Sequence, residues 1–253
     1  MRDGFDRRGL IRGAIAMGAG VAIPGLARAQ DSAAQAPMPW SLGGPSSDFE
    51  RAFKVLSDPP ANAEATAPTP AATPVEAPLG AGYRAMVIDI ARREAGRCGA
   101  ALRFTDLVAV ADFARPSSLP RLHLVDLAAG NLRSILVAHG RGSDPEHDGW
   151  LKSFSNIVGS EATSRGAYLV GDVYDGKYGP SLRVQGLDPD NSNAYDRAIV
   201  MHPAWYAGRD MLAKDGKLGR SEGCFAMDPQ HFAQALTVLA GGRLLYADRI
   251  EAG

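Results

Sequence analysis

The spacing of apolar residues changes along the chain, and with it the predicted structure. In YRAMVIDIARREAG, Met86, Val87, Ile90 and Ala91 recur at three- and four-residue intervals, which predicts an amphipathic helix with Gly96 as its stop. The period then shortens. LVAVADF (107–113), RLHLVDL (121–127), LRSILVAHG (132–140), GAYLVGDVY (166–174), LRVQGL (182–187) and RAIVMH (197–202) are short apolar or alternating runs separated by Gly, Asp and Pro, and they read as strands. AAGN, Ala128 to Asn131, suits a hairpin turn because Gly130 and Asn131 tolerate positive φ. Asp228-Pro229 is expected to cap a helix over QHFAQALTVL, which Gly241-Gly242 separates from a last strand, RLLYAD. The order predicts one β-rich domain over roughly 82–250, with helices at both ends and no internal repeat.

Upstream the pattern is different. SDPPANAEATAPTPAATPVEAPLG, Ser57 to Gly80, has almost no large apolar residue and reads as a linker. DFERAFKVL, Asp48 to Leu56, before it suits two helical turns. At the N-terminus, Arg7-Arg8 precedes GLIRGAIAMGAGVAIPGL, an apolar run too short and too weakly hydrophobic for a membrane span, and Ala27-Arg28-Ala29 supplies a small-x-small cleavage pattern. Residues 1–29 therefore read as a signal peptide and 30–81 as an N-terminal segment and linker. The twin arginine with Gly9, Leu10, Ile11 and Arg12 resembles a Tat signal; Asp6 stands where a hydroxyl residue is usual, which leaves Sec export open. The expected location of the mature chain is the periplasm. Cleavage removes five arginines and two aspartates, leaving an acidic remainder with no basic patch for nucleic acid and no stretch long enough to cross a bilayer.

At 253 residues and 45% hydrophobic, the chain can build a full core without covalent staples. That bears on its two cysteines. Cys98, near the end of a helical pattern, reads as a buried small hydrophobe. Cys224, in LGRSEGCFAM, is open to three readings: core filler, one half of a disulfide with Cys98, or a nucleophile. A nucleophilic thiol needs a base or a positive field, because at its ordinary pKa it is mostly protonated near neutrality. His202, at the end of RAIVMH, and Arg220 are the candidates, while Gly223 allows a substrate carbonyl close to the backbone and the Cys224 amide. His202 also admits a purely structural reading. HGRGSDPEHD, with His139, Asp144 and His147, invites a metal, but lacks the regular ligand spacing of a zinc signature and reads as a polar loop. His123 and His231 fall inside a strand and a helix and read as structural.

Together these stretches carry a resemblance. His202 followed by Ser221-Glu222-Gly223-Cys224 resembles the signature of L,D-transpeptidases with a YkuD-type catalytic domain, a histidine followed at some distance by Ser/Thr-His-Gly-Cys. VAHGRGS, FSNIVGS, SRGAYLVGDVYDGKYGPSLRVQGLD, NAYDRAIVMH and LGRSEGCFAM, in that order, resemble the murein L,D-transpeptidase catalytic-domain subfamily from about Phe104 to Asp248. Two departures stand out: Glu222 replaces the first histidine of Ser-His-Gly-Cys, and Ala226 occupies a position often polar in the wider family.

The resemblance implies a mainly β catalytic domain over 82–253, a β-sandwich with a few flanking helices. It implies that Cys224 attacks the carbonyl after an L-configured centre in a peptidoglycan tetrapeptide stem, with His202 handling the proton, no metal and no cofactor. D-alanine leaves, and the amine of a second stem takes the acyl group, forming a cross-link. A backbone carbonyl is expected to orient His202. Ser221, Gly223 and Arg220 would line the acyl site, and His139, Asn156 and Tyr174 would help bind the stem. Water in place of the amine would make the enzyme a carboxypeptidase or endopeptidase, and a silent Cys224 would leave a wall-binding module. A carboxylate at Glu222 should oppose thiolate formation, with Arg220 offsetting it.

Overall fold

The computed structural model describes residues 79–250; the expected signal peptide, the 48–56 helix and the linker as far as residue 78 lie outside them. Helix α1 (Ala81–Cys98) is followed by strands β1 (Leu107–Asp112), β2 (Leu122–Asp126), β3 (Asn131–Ile135), β4 (Gly166–Gly176), β5 (Gly179–Gly186) and β6 (Val200–Pro203). Helix α2 (Arg209–Asp215), β7 (Phe225–Met227), helix α3 (Pro229–Leu239) and β8 (Arg243–Asp248) complete the order. The strands form one mixed sheet in the order β3-β2-β1-β8-β4-β5-β6-β7. Neighbours are antiparallel except the two parallel pairs, β1 with β8 and β6 with β7.

Packing explains the patterns. Val108 and Val110 of β1 face Val87, Ala91 and Cys98 of α1, while Ala109 and Ala111 face the core beneath α3. A strand covered on both faces has no polar side to show, hence the unbroken run VAVA. The second core also contains Leu122 and Ile135 from one end of the sheet and Met201, Phe225 and Met227 from the other. The sheet therefore curls until its ends face each other across a shared interior. Beyond β3 the chain completes the approach: Ala138 bridges to Ala226 and Gly140 to Ser221. The mainly β architecture with flanking helices is the one expected, its two facing layers formed by a single curled sheet.

Several boundaries differ from expectation. Helix α1 passes through Gly96 to Cys98, because Ala95 and Cys98 continue its buried stripe and Arg97 pairs with Glu94 one turn back and with Asp188. Only the second half of RAIVMH is strand, since Ala198 has φ 52°, a left-handed conformation incompatible with a ladder. Neither β7, three fully buried residues, nor the short α2 is signalled by sequence periodicity.

Candidate active site

The parallel pairing of β6 and β7 sets His202 opposite Ala226, and Met201 opposite Phe225. Met201 and Phe225 point into the core. Alternation then turns His202 and Ala226 to the other side of the sheet, and Cys224, two residues before Ala226, shares that side. The loop leading to Cys224 is closely braced. Ser221 Oγ donates to the Cys224 carbonyl (2.7 Å) and accepts from the Gly223 amide (3.2 Å). The Ser221 amide donates to the His139 carbonyl, and the Arg141 amide to the Ser221 carbonyl. Gly223 has φ 112° and packs back to back with Gly140, where a Cβ would lie 2.7 Å from the Gly223 Cα. Side chains at either position would separate the two segments.

Cys224 is buried, and that burial pushes its thiol up to about 11; Glu222 adds to the rise, while the Val200 amide and Arg197 oppose it. The thiol donates to the Ala198 carbonyl at 3.7 Å. Burial holds His202 below the usual histidine range. Its Nδ1 lies 3.0 Å from the Pro203 carbonyl, and since a carbonyl only accepts, Nδ1 carries the proton and Nε2 the lone pair. The imidazole stacks on Tyr178, from the β4–β5 hairpin, at 4.4 Å between centroids and 21° between planes. Near neutrality both groups are therefore uncharged.

The two residues line one cleft of about 460 Å³ together with Tyr174, Arg197, Arg220, Ser221 and Glu222. Tyr174 lies under the Arg183 guanidinium (4.0 Å to the ring centroid). The Arg220 guanidinium donates to the carbonyls of Asp144 and Pro145. Glu222 is exposed and lies 3.6 Å from Arg141, which also pairs with Glu161, so its partner is Arg141 and not the neighbouring Arg220. Arg197, not Arg220, is the cation that offsets Glu222 at the thiol.

Two residues expected at the stem-binding surface lie elsewhere. His139 is 1% exposed. Arg121, itself fully buried over the Phe113 ring, donates to His139 Nδ1 (2.8 Å), leaving the proton on Nε2, which faces Asp144 Oδ2 (3.3 Å). Asp144 also accepts the Asp148 and Gly149 amides. This network braces the segment behind the cysteine loop and leaves His139 no free nitrogen for a substrate. The Asn156 amide donates to the Pro189 carbonyl and Ser192 Oγ, outside the cleft. His147 contacts the Leu218 carbonyl through Nε2, His123 sits between Tyr83 and Ser134, and His231 pairs with Asp228. Among the described residues, no three ligating side chains come together as a metal site. Cys98 and Cys224 are both free, Cys98 in the α1 core.

A family model described as the L,D-transpeptidase catalytic domain matches residues 86–247, well over half of the 253-residue chain. The chain belongs to the L,D-transpeptidase family. No curated protein matches it. Among solved structures, this L,D-transpeptidase-family chain is similar to an L,D-transpeptidase from Mycobacterium smegmatis, with 13% identity, a TM-score of 0.36, and coverage of 56% of this chain and 58% of that one. L,D-transpeptidase 1 from Mycobacterium tuberculosis gives 13%, 0.31, 56% and 61%. The helical cell shape determining protein Pgp2 from Campylobacter jejuni gives 17%, 0.37, 69% and 58%. The match covers less than two thirds of each of these chains.

Proposed function

We propose that this chain is an exported, periplasmic L,D-transpeptidase that cross-links peptidoglycan through a thioester on Cys224. The observation that carries the reading is the pairing of a cleft-lining thiol with a histidine whose Nδ1–H is held by the Pro203 carbonyl, leaving Nε2 as the base. The sulfur attacks the carbonyl of the third stem residue as its proton passes to His202 Nε2. The tetrahedral intermediate collapses, C–N breaks, and His202 returns the proton to departing D-alanine. The amine of a second stem then attacks the thioester: C–N forms, C–S breaks, and the amine's proton returns through His202 to sulfur. The raised thiol and lowered imidazole favour proton transfer during attack over a standing ion pair.

The test is incubation of residues 30–253 with tetrapeptide muropeptides and, separately, a carbapenem, followed by intact-mass and product analysis. The expected outcome is an adduct on Cys224, with cross-linked dimer and free D-alanine when an acceptor is present. Tripeptide without dimer would identify a carboxypeptidase. Cleavage of existing cross-links would identify an endopeptidase, and absence of any adduct a wall-binding module.

A further inference from the structure

The Arg197 guanidinium is held entirely by neutral acceptors. Its Nη1 donates to the Ser155 carbonyl and Ser164 Oγ, and its Nη2 to the carbonyls of Ser160 and Ala162. Its Nε is buried without a partner, and no carboxylate among the described residues pairs with it. The other cations of the cleft are differently engaged. Arg141 pairs with Glu161 and Glu222, Arg220 caps carbonyls of the Asp144 segment, and Lys177 lies over the Tyr178 ring at the hairpin tip. A partly buried guanidinium without a counter-ion is costly unless an anion forms beside it.

Cys224 can supply that anion. Arg197 Nη2 lies 3.4 Å from where a side chain on Gly223, the residue before the nucleophile, would begin. The next residue, Ala198, carries the left-handed φ that turns its carbonyl to the Cys224 thiol. Around the sulfur, Glu222 on its own loop opposes ionisation, while His202 from β6, Tyr174 from β4 and Tyr206 from the turn after β6 are neutral near pH 7.

We infer that Arg197 is the built-in counter-ion of the Cys224 thiolate, fixed in advance by four hydrogen bonds to the 155–164 segment. When the thiol loses its proton it loses its hydrogen bond to Ala198, and when the thioester gives up its bond to the acyl carbon the sulfur again carries charge; in both cases the guanidinium and the Val200 amide are already in place to receive it. In agreement, Arg197 draws the thiol's pKa down and Cys224 draws that of Arg197 up. The inference rests on Cys224 as nucleophile, but its test reads the thiol directly and needs no stem substrate.

Alkylation of Cys224 by iodoacetamide, followed by mass spectrometry at pH 8, should slow about tenfold in Arg197→Gln, the change for one pKa unit. Arg197→Lys, keeping the charge but not the fork, should recover most of the rate, with circular dichroism confirming the fold of both. An unchanged rate in Arg197→Gln, or equal slowing in both variants, would overturn the inference, the second outcome marking Arg197 as a tether only. If Arg197→Gln does not fold, guanidinium NMR of the parent protein decides. The Arg197 resonances should move with the ionisation of Cys224 and stay still in Cys224→Ser; no movement in the parent overturns the assignment.

Discussion

Cys224 and His202 line one cleft, and burial pushes each toward its neutral form. Cys224→Ser should abolish adduct formation by mass spectrometry while the melting curve stays within a degree or two, because oxygen is nearly isosteric but a poorer nucleophile. His202→Ala should lower the acylation rate by roughly 10² to 10⁴, the usual range for a general base. Since burial lowers His202, its deprotonated form persists below pH 6.5, and the acid limb of the acylation profile should lie below the ordinary histidine range. Glu222 acts on the other partner. Its carboxylate raises the thiol, so Glu222→Gln should speed Cys224 alkylation at a fixed pH near 8, the opposite of Arg197→Gln; an equal or slower rate would show that Arg141 already cancels its charge.

Elements built on local periodicity were legible, and so was the helix cap. Asp228 accepts the Gln230 and His231 amides at 3.0 Å each, and Asp228→Ala should cost about 1 kcal/mol, a drop of roughly 2–4 °C in melting temperature. Strands β1, β2, β4 and β8 follow their apolar runs within a few residues, because each packs at least one face on a core. Cys224 and His202 stood out through the resemblance of their motif, while the parallel pairing of β6 with β7 that sets them on one side of the sheet left no mark of its own. What failed to show were features set by distant partners. His139 looks like a polar loop residue, yet Arg121, 18 positions earlier, makes it internal. Arg197 looks like an ordinary strand charge, yet its acceptors lie 33 to 42 residues away. Ala198 carries no sequence mark of its left-handed backbone, and it alone halves a predicted strand.

Across the domain, interior histidines govern the response to acid, His202 among them and two others more strongly. Burial pushes His123 and His139 down to about 3, so between about 6.5 and 3 the unfolded chain binds protons the folded chain refuses, and stability falls as pH falls. The loss should be of order 1–2 kcal/mol per histidine at pH 5. It sets in above the range in which Asp106, Asp188 and Asp228, all lowered, lose their own contributions on protonation. Urea denaturation between pH 7.5 and 5 should show this decline, and a flat profile would mean that these histidines protonate without unfolding. The parallel pair at the centre of the sheet has a consequence in time. Val108 waits for Leu244, and Asp112 for Asp248, so the middle of the core cannot close until β8 has left the ribosome. Such distant pairing makes for slow folding. A chain ending before Arg243 should lose its cooperative transition in a thermal melt, while one ending just after Ile250 keeps it: β8 is the clasp between β1 and β4, and without it the strands already made stay open.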